Sequence, residues 1–230
     1  MGRAMRNATG LAAVLVMVLG PLLAHFGVVR PLAGFAMFAV GGLVAIVTGL
    51  LSLVQAARGR GVTIGGALAV VAGLAFFSIA GQGRGYPRIN DFTTDPTNPP
   101  YFRFADSLPP NAGRDLRYPP EFAAVQRECC ADLAPTHLNE GPPQAYERAL
   151  RVARGMPSWT ITKADPEVMV IEAVSTSRLF RFQDDIVIRI SPDGAGSRVD
   201  MRSKSRDGKG DMGANANRIR TYSHALTSAG

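Results

Sequence analysis

The sequence predicts a three-helix transmembrane anchor followed by a two-layer α+β domain, an antiparallel sheet with helices on one face in the order β-α-β-β-β-β-α. Three observations carry this reading. Residues 9 to 81 are apolar segments broken only by Arg30 and by Arg58 to Arg60, with no Asp or Glu among them. A Pro-rich stretch follows, and beyond it the apolar pattern runs first at a helical period, then at a period of two, then at a helical period again.

The apolar segments run from Thr9 to Val29, Pro31 to Gln55 and Gly61 to Gly81. Each reaches the roughly 20 residues that cross a ~30 Å hydrocarbon core. Arg30 alone separates the first two, so they form a tight helical hairpin. The first is too long for a signal-peptide core and lacks a small-residue cleavage site after it. None contains Asp, Glu or Lys, whereas transport paths usually need intramembrane ionisable groups, so the segments read as an anchor. Gly61 and Gly65 make a small-xxx-small step that suits close helix packing.

Residues 1 to 83 carry five arginines and no acid, while the remainder holds 20 of the 25 basic residues and all 18 acids. The basic excess therefore reports membrane flanks, and it gives a nucleic-acid partner little support. Arg3, Arg6, Arg58 and Arg60 lie on one side of the spans and Arg30 on the other. The positive-inside rule then sets the N-terminus in the cytoplasm and, after three spans, the rest of the chain outside. Arg84 and Arg88 weigh mildly against this. The expected location is a bacterial inner membrane, with a periplasmic C-terminal domain.

The expected organisation is a transmembrane region over 1–83, a Pro-rich extended arm over 84–120 and a folded domain over 121–230. Eight of the 16 prolines fall between Tyr86 and Pro120, which excludes helix and central strand there. The arm either spaces the domain from the bilayer or drapes over its surface. Glu121 to Asp132 reads as a short helix and Thr136 to Asn139 as a short strand. Pro142 and Pro143 suit a first helical turn, Tyr146, Ala149, Leu150 and Ala153 share a face, and Gly155 marks the stop. Trp159 and Ile161, then Met169, Ile171 and Ala173, alternate as strands.

The next hairpin registers itself, because opposed residues of antiparallel strands share a face. A turn over Asp193 to Gly196 pairs Ile190 with Val199 and Ile188 with Met201. It also sets Arg189 opposite Asp200 and Asp185 opposite Lys204, and it puts Asp184 and Ser205 on the apolar side. A final helix runs from Asp211, its N-cap, to about Thr227, with Met212, Ile219, Tyr222 and Leu226 as its apolar stripe. The adjacent Cys129 and Cys130 close only a strained ring. An intermolecular bridge is one reading of them, and a pair of buried apolar thiols is the favoured one.

Two stretches carry a family resemblance. Ile89-Asn90-Asp91-Phe92-Thr93-Thr94-Asp95-Pro96 with Pro99-Pro100, and Arg202-Ser203-Lys204-Ser205-Arg206-Asp207-Gly208 with Asp211, Gly213, Asn215, Arg218 and Ile219, resemble the family catalogued as domain of unknown function 1499. Phe182, Asp184, Asp185 and Arg189 fit the strand that precedes the second motif. The likeness spans roughly Ile89 to Ala225, with Thr93 where serine is expected and Met201 where valine is expected. It implies a domain that includes the arm and implies no activity.

The best candidate site gathers Asp184, Ser203, Ser205, Arg206, Asp211, Asn215 and Arg218 where the hairpin meets the N-terminus of the last helix. Helix amides and arginines there suit an anionic ligand or lipid head group. The alternative is a polar network that caps the helix and pairs Asp184 with an arginine. Asp184 and Asp185 point to opposite faces and cannot act as paired catalytic carboxylates. A cation site using Asp184 and Asp211 has no supporting spacing. His25, His137 and His224 show no ligand spacing, although His137 could reach Asp184, and Gly208-Lys209-Gly210 lacks the rest of a P-loop. No cofactor is expected. The leading expectation is a non-catalytic ligand-binding domain, with a cell-envelope interaction or assembly protein as rival and a metal-dependent hydrolase as the weakest reading.

Overall fold

The structure, a computed structural model, describes residues 2–81, 83 and 85–229. Arg84, the first residue of the expected arm, and Gly230, the last of the expected domain, lie outside the described residues. The chain divides into two compact units, Met1–Arg84 with Arg178–Arg181, and Gly85–Ser177 with Phe182–Gly230.

The first unit contains three helices long and apolar enough to cross a membrane: α1 (Arg3–His25), α2 (Pro31–Ala57) and α3 (Ile64–Gly81). Their ends differ from the expected spans for a local reason. Gly27 and Gly61 take left-handed backbone, at φ 71° and 70°, and so lie in the turns. The helices touch through glycine. A Cβ added to Gly10 would lie 2.1 Å from the Gly65 carbonyl oxygen, and the Gly65 amide donates to Asn7 Oδ1 at 2.8 Å. Gly61, the other half of the expected step, meets nothing.

In the second unit β1 (Asp91–Thr93), α4 (Phe122–Cys129), β2 (Thr136–Leu138) and α5 (Pro142–Gly155) precede β3 (Trp159–Asp165), β4 (Val170–Thr176), β5 (Gln183–Asp193), β6 (Gly196–Ser205) and α6 (Ala214–Ser228). The antiparallel sheet runs β1-β6-β5-β4-β3, and β2 also pairs with β6. The β5–β6 register is the one derived from sequence, from Asp184 opposite Ser205 to Ile190 opposite Val199. One face meets α5 and α6 over a core of Phe92, Ile171, Ile186, Ile188, Met201, Ile219, Tyr222 and Leu226.

The opposite face of the sheet carries the arm. Residues 91–93 precede most of the prolines and can donate to a neighbour, so they form an edge strand. Prolines 109 and 110 begin a single 3-10 turn, and Ala105–Ser107 forms another, since so short a turn needs few amide donors. The arm thus lies over the sheet and covers a row of charges. Arg202, 1% exposed, donates to both carboxylate oxygens of Asp91 at 2.9 and 2.7 Å and lies over the rings of Phe102 and Tyr118. Glu172 accepts from the Arg103 and Phe104 amides at 2.5 and 3.1 Å. Gln126 of α4 bonds the Thr93 amide and carbonyl at 2.9 and 2.6 Å, filling the free edge of β1.

Candidate functional site

The hairpin and α6 bring six of the seven candidate side chains together. Asp184, Ser203 and Ser205 stand on the helix-bearing face of β5 and β6, as the two-residue alternation requires. Asn215 and Arg218, three residues apart on α6, face them. Arg218 donates to Asp184 Oδ2 at 2.6 Å and to Ser203 Oγ at 3.0 Å, and it also bonds Asn215 Oδ1. Ser203 donates to Asn215 Oδ1 at 2.6 Å, and the Asn215 amide reaches Ser205 Oγ at 2.9 Å and the Asn90 carbonyl at 3.1 Å.

Asp211 joins the set from two residues before the N-cap, where it was expected to be the N-cap itself. Helix α6 begins at Ala214, and the residue at its N-cap is Gly213, held at φ 81° with the Tyr86 ring where a Cβ would sit. The Asp211 carboxylate accepts from the Gly213 amide at 2.9 Å and the Asn215 amide at 2.6 Å. The chain's own carboxylate therefore occupies the anion position at this helix end. Burial pushes its pKa above the ordinary 3.8. Met212 is no part of the apolar stripe, because its backbone is left-handed at φ 53° and its side chain is exposed.

Arg206 stands apart from the other six. It follows Ser205 on the strand and so turns to the arm-covered face, where it donates to Asp185 at 2.6 and 3.0 Å and to Gln183 at 2.6 Å. Arg114 of the arm completes that group, 2.9 Å from Asp185. His137 lies 2.6 Å from Asp193 at the hairpin tip, away from Asp184, because β2 pairs His137 with Arg198.

The internal pairing leaves the exposed rim as the part of this end that can meet a ligand. The loop 206–213 carries Lys209 and Met212 on its surface, and the Arg88 backbone abuts Gly210, whose hypothetical Cβ would be 3.3 Å from Arg88 Cα. Neither Arg88 nor Lys209 has an ion-pair partner among the described residues. Tyr86 fastens the same region to α6, donating to Asn217 Oδ1 at 3.0 Å and accepting from Arg220 at 3.1 Å. Sequence reasoning passed over these residues, although Gly208-Lys209-Gly210 had marked the loop.

Arg148 was also missed. It is buried on α5 and donates to the carbonyls of Leu226 at 3.0 and 2.6 Å and of Thr227 at 3.2 Å. A cation there satisfies and neutralises the C-terminal end of α6. Both ends of that helix are thus tied to the rest of the domain.

A family model described as protein of unknown function (DUF1499) matches residues 91–226. No curated protein matches the chain.

Proposed function

The chain belongs to the DUF1499 family, and from that premise we propose that it is a membrane-anchored, non-catalytic domain that engages an anionic group at the α6 end. The domain faces away from the cytoplasm of a bacterial cell, on the arginine distribution of the spans. The ligand is a phosphate or carboxylate, either on a lipid head group or on a small molecule. Arg88 and Lys209, charged, exposed and unpaired beside exposed Met212, carry this reading. Two cations flanking an apolar tip suit the boundary between head groups and acyl chains.

The candidate residues Asp184, Ser203, Ser205, Asp211, Asn215 and Arg218 hold that rim in one geometry. Arg218 and Arg206 are committed to Asp184 and Asp185, so the contacting charges are those of the rim. Only four residues separate Gly81, the end of α3, from Tyr86. A short tether makes the anchor's own membrane the ligand source of highest effective concentration.

Native mass spectrometry of the full chain, released from discs containing phosphatidylcholine and phosphatidylglycerol, tests the proposal. Wild type should retain phosphatidylglycerol, and the double variant Arg88→Gln, Lys209→Gln should lose most of it. Equal retention by both would reject the site. Displacement of the lipid by millimolar glycerol phosphate would identify a free small anion as the ligand.

A second reading, a cell-envelope interaction or assembly role, is favoured by Tyr101. Its ring is 57% exposed on the arm with the Arg103 guanidinium 4.9 Å from its centre. Deleting residues 89–101 is not a clean test of it, since it removes β1. Loss of a cross-linked protein partner from Tyr101→Ala, with lipid retention intact, would favour this reading.

A further inference from the structure

Helix α4 ends at Cys129, and the chain leaves helical geometry at Cys130, which has φ −146° and ψ 43°. This turn brings Cys130 Sγ to 2.7 Å from Cys129 Sγ. Non-bonded carbon atoms rest at about 3.5–4.0 Å, and sulfur is larger, so the two thiols are pressed together. A disulfide needs about 2.05 Å, which is a short further approach along the same line. Cys130 is buried at 1% exposure, and Cys129 is half-buried with its thiol 3.6 Å from the Gln126 carbonyl. A reagent therefore meets Cys129 first.

The surroundings act on this pair in two directions. The guanidinium of Arg220 neighbours both sulfurs and is fixed by a bidentate contact to Asp132 at 2.5 and 2.8 Å. A fixed cation favours the thiolate that exchange requires. Burial and the neighbouring sulfur act the other way and push the Cys129 thiol up to about 12, so exchange is slow.

We propose that Cys129 and Cys130 are a redox pair that closes a disulfide between neighbouring residues of one chain when presented with a low-molecular-weight disulfide. The Cys129 thiolate attacks one reagent sulfur, forming a mixed disulfide and expelling the other reagent sulfur as a thiolate. The Cys130 thiol loses its proton and attacks Cys129 Sγ, expelling the second reagent thiolate. Two electrons pass to the reagent, which leaves as two thiols carrying the two cysteine protons. Adjacent Cα atoms are about 3.8 Å apart, below the usual range of about 4.4–6.8 Å for bridged residues. The ring is therefore strained and readily reduced, so the pair cycles and is not a permanent staple.

Closure changes little else. Gln126, three residues before Cys129, keeps both bonds to Thr93, because the turn that must tighten lies beyond it. The bridge occupies the half-buried Cys129 thiol and fixes the end of the helix that guards the β1 edge.

The full chain in detergent, incubated for hours with oxidised glutathione, then unfolded, treated with iodoacetamide and digested after arginine, tests this. Peptide 128–148, bounded by Arg127 and Arg148, holds both cysteines. The expected product is that peptide without label and lighter by two hydrogens, turning into the doubly labelled form when a reductant precedes labelling. Both cysteines labelled without reductant, a persistent glutathione adduct, or a disulfide-linked dimer would each overturn the proposal. In Cys130→Ser the second step is blocked and glutathione should stay on Cys129. A Cys130→Ser chain that folds yet takes up no glutathione would contradict the order of attack, and if it does not fold the wild-type digest alone decides.

Discussion

Arg202 is a fully buried cation whose partners come from a segment about a hundred residues earlier. Asp91 meets its guanidinium edge-on, Phe102 and Tyr118 lie at 4.9 and 5.5 Å, and the carbonyls of Pro100 and Leu116 take two further donors. Arg202→Met should destabilise the domain by about 3 kcal/mol, at the lower end for breaking a buried pair, because Lys204 remains 3.0 Å from Asp91. Chemical unfolding of the full chain in detergent measures this. The alternation of β6 had put Arg202 opposite the core, and a strand face opposite a core ordinarily reads as solvated. What covers it could not be read from local pattern, since a proline run carries no periodicity. Glu172 lies under the same cover, and burial raises its pKa above 4.5 despite two amide donors. A carboxyl raised on folding binds its proton more tightly folded than unfolded. Stability therefore falls as pH rises from 4.5 through the window up to the raised value. Glu172→Gln should remove that fall, gaining on wild type as pH rises above 4.5. A variant whose unfolding midpoint instead dropped further at the higher pH would show that the ionised form is the stabilising one.

At the scale of elements, the β5–β6 hairpin was legible because two independent patterns agreed, apolar residues on one face and opposite charges on the other. The start of α6 was not, because Asp211 performs the capping chemistry from outside the helix while Gly213 supplies the backbone. Gly213→Ala should cost roughly 1–2 kcal/mol for left-handed backbone alone, and more through the clash with the Tyr86 ring. Thermal unfolding compared with Gly194→Ala at the hairpin tip, where a Cβ meets nothing, separates the two contributions. The arm makes a stronger prediction. The amides of Thr93, Thr94, Arg103 and Phe104 are all bonded, to Gln126, to the Met201 carbonyl and to Glu172. Their hydrogen exchange should be slow, near that of β5, although they lie in a Pro-rich stretch. Exchange as fast as in an unstructured linker would mean that the arm is a free spacer.

For the whole molecule, hydrophobic length alone made the three apolar helices evident, and their glycine contacts were only partly so. Gly10→Val would drive α1 from α3, since a Cβ there would lie 2.1 Å from the Gly65 carbonyl oxygen, and it should lower the thermal midpoint of the full chain while leaving the DUF1499 domain folded. The candidate residues were found because alternation and helix spacing converge on one end of the sheet. Their mutual pairing was the alternative already visible in the sequence, and it moves the proposed binding surface outward to Arg88, Lys209 and Met212. Amide exchange over residues 206–213, measured on the full chain in discs with and without phosphatidylglycerol, tests that claim most directly. Slower exchange in this loop only when the anionic lipid is present is the predicted result, and identical exchange in both membranes would contradict it.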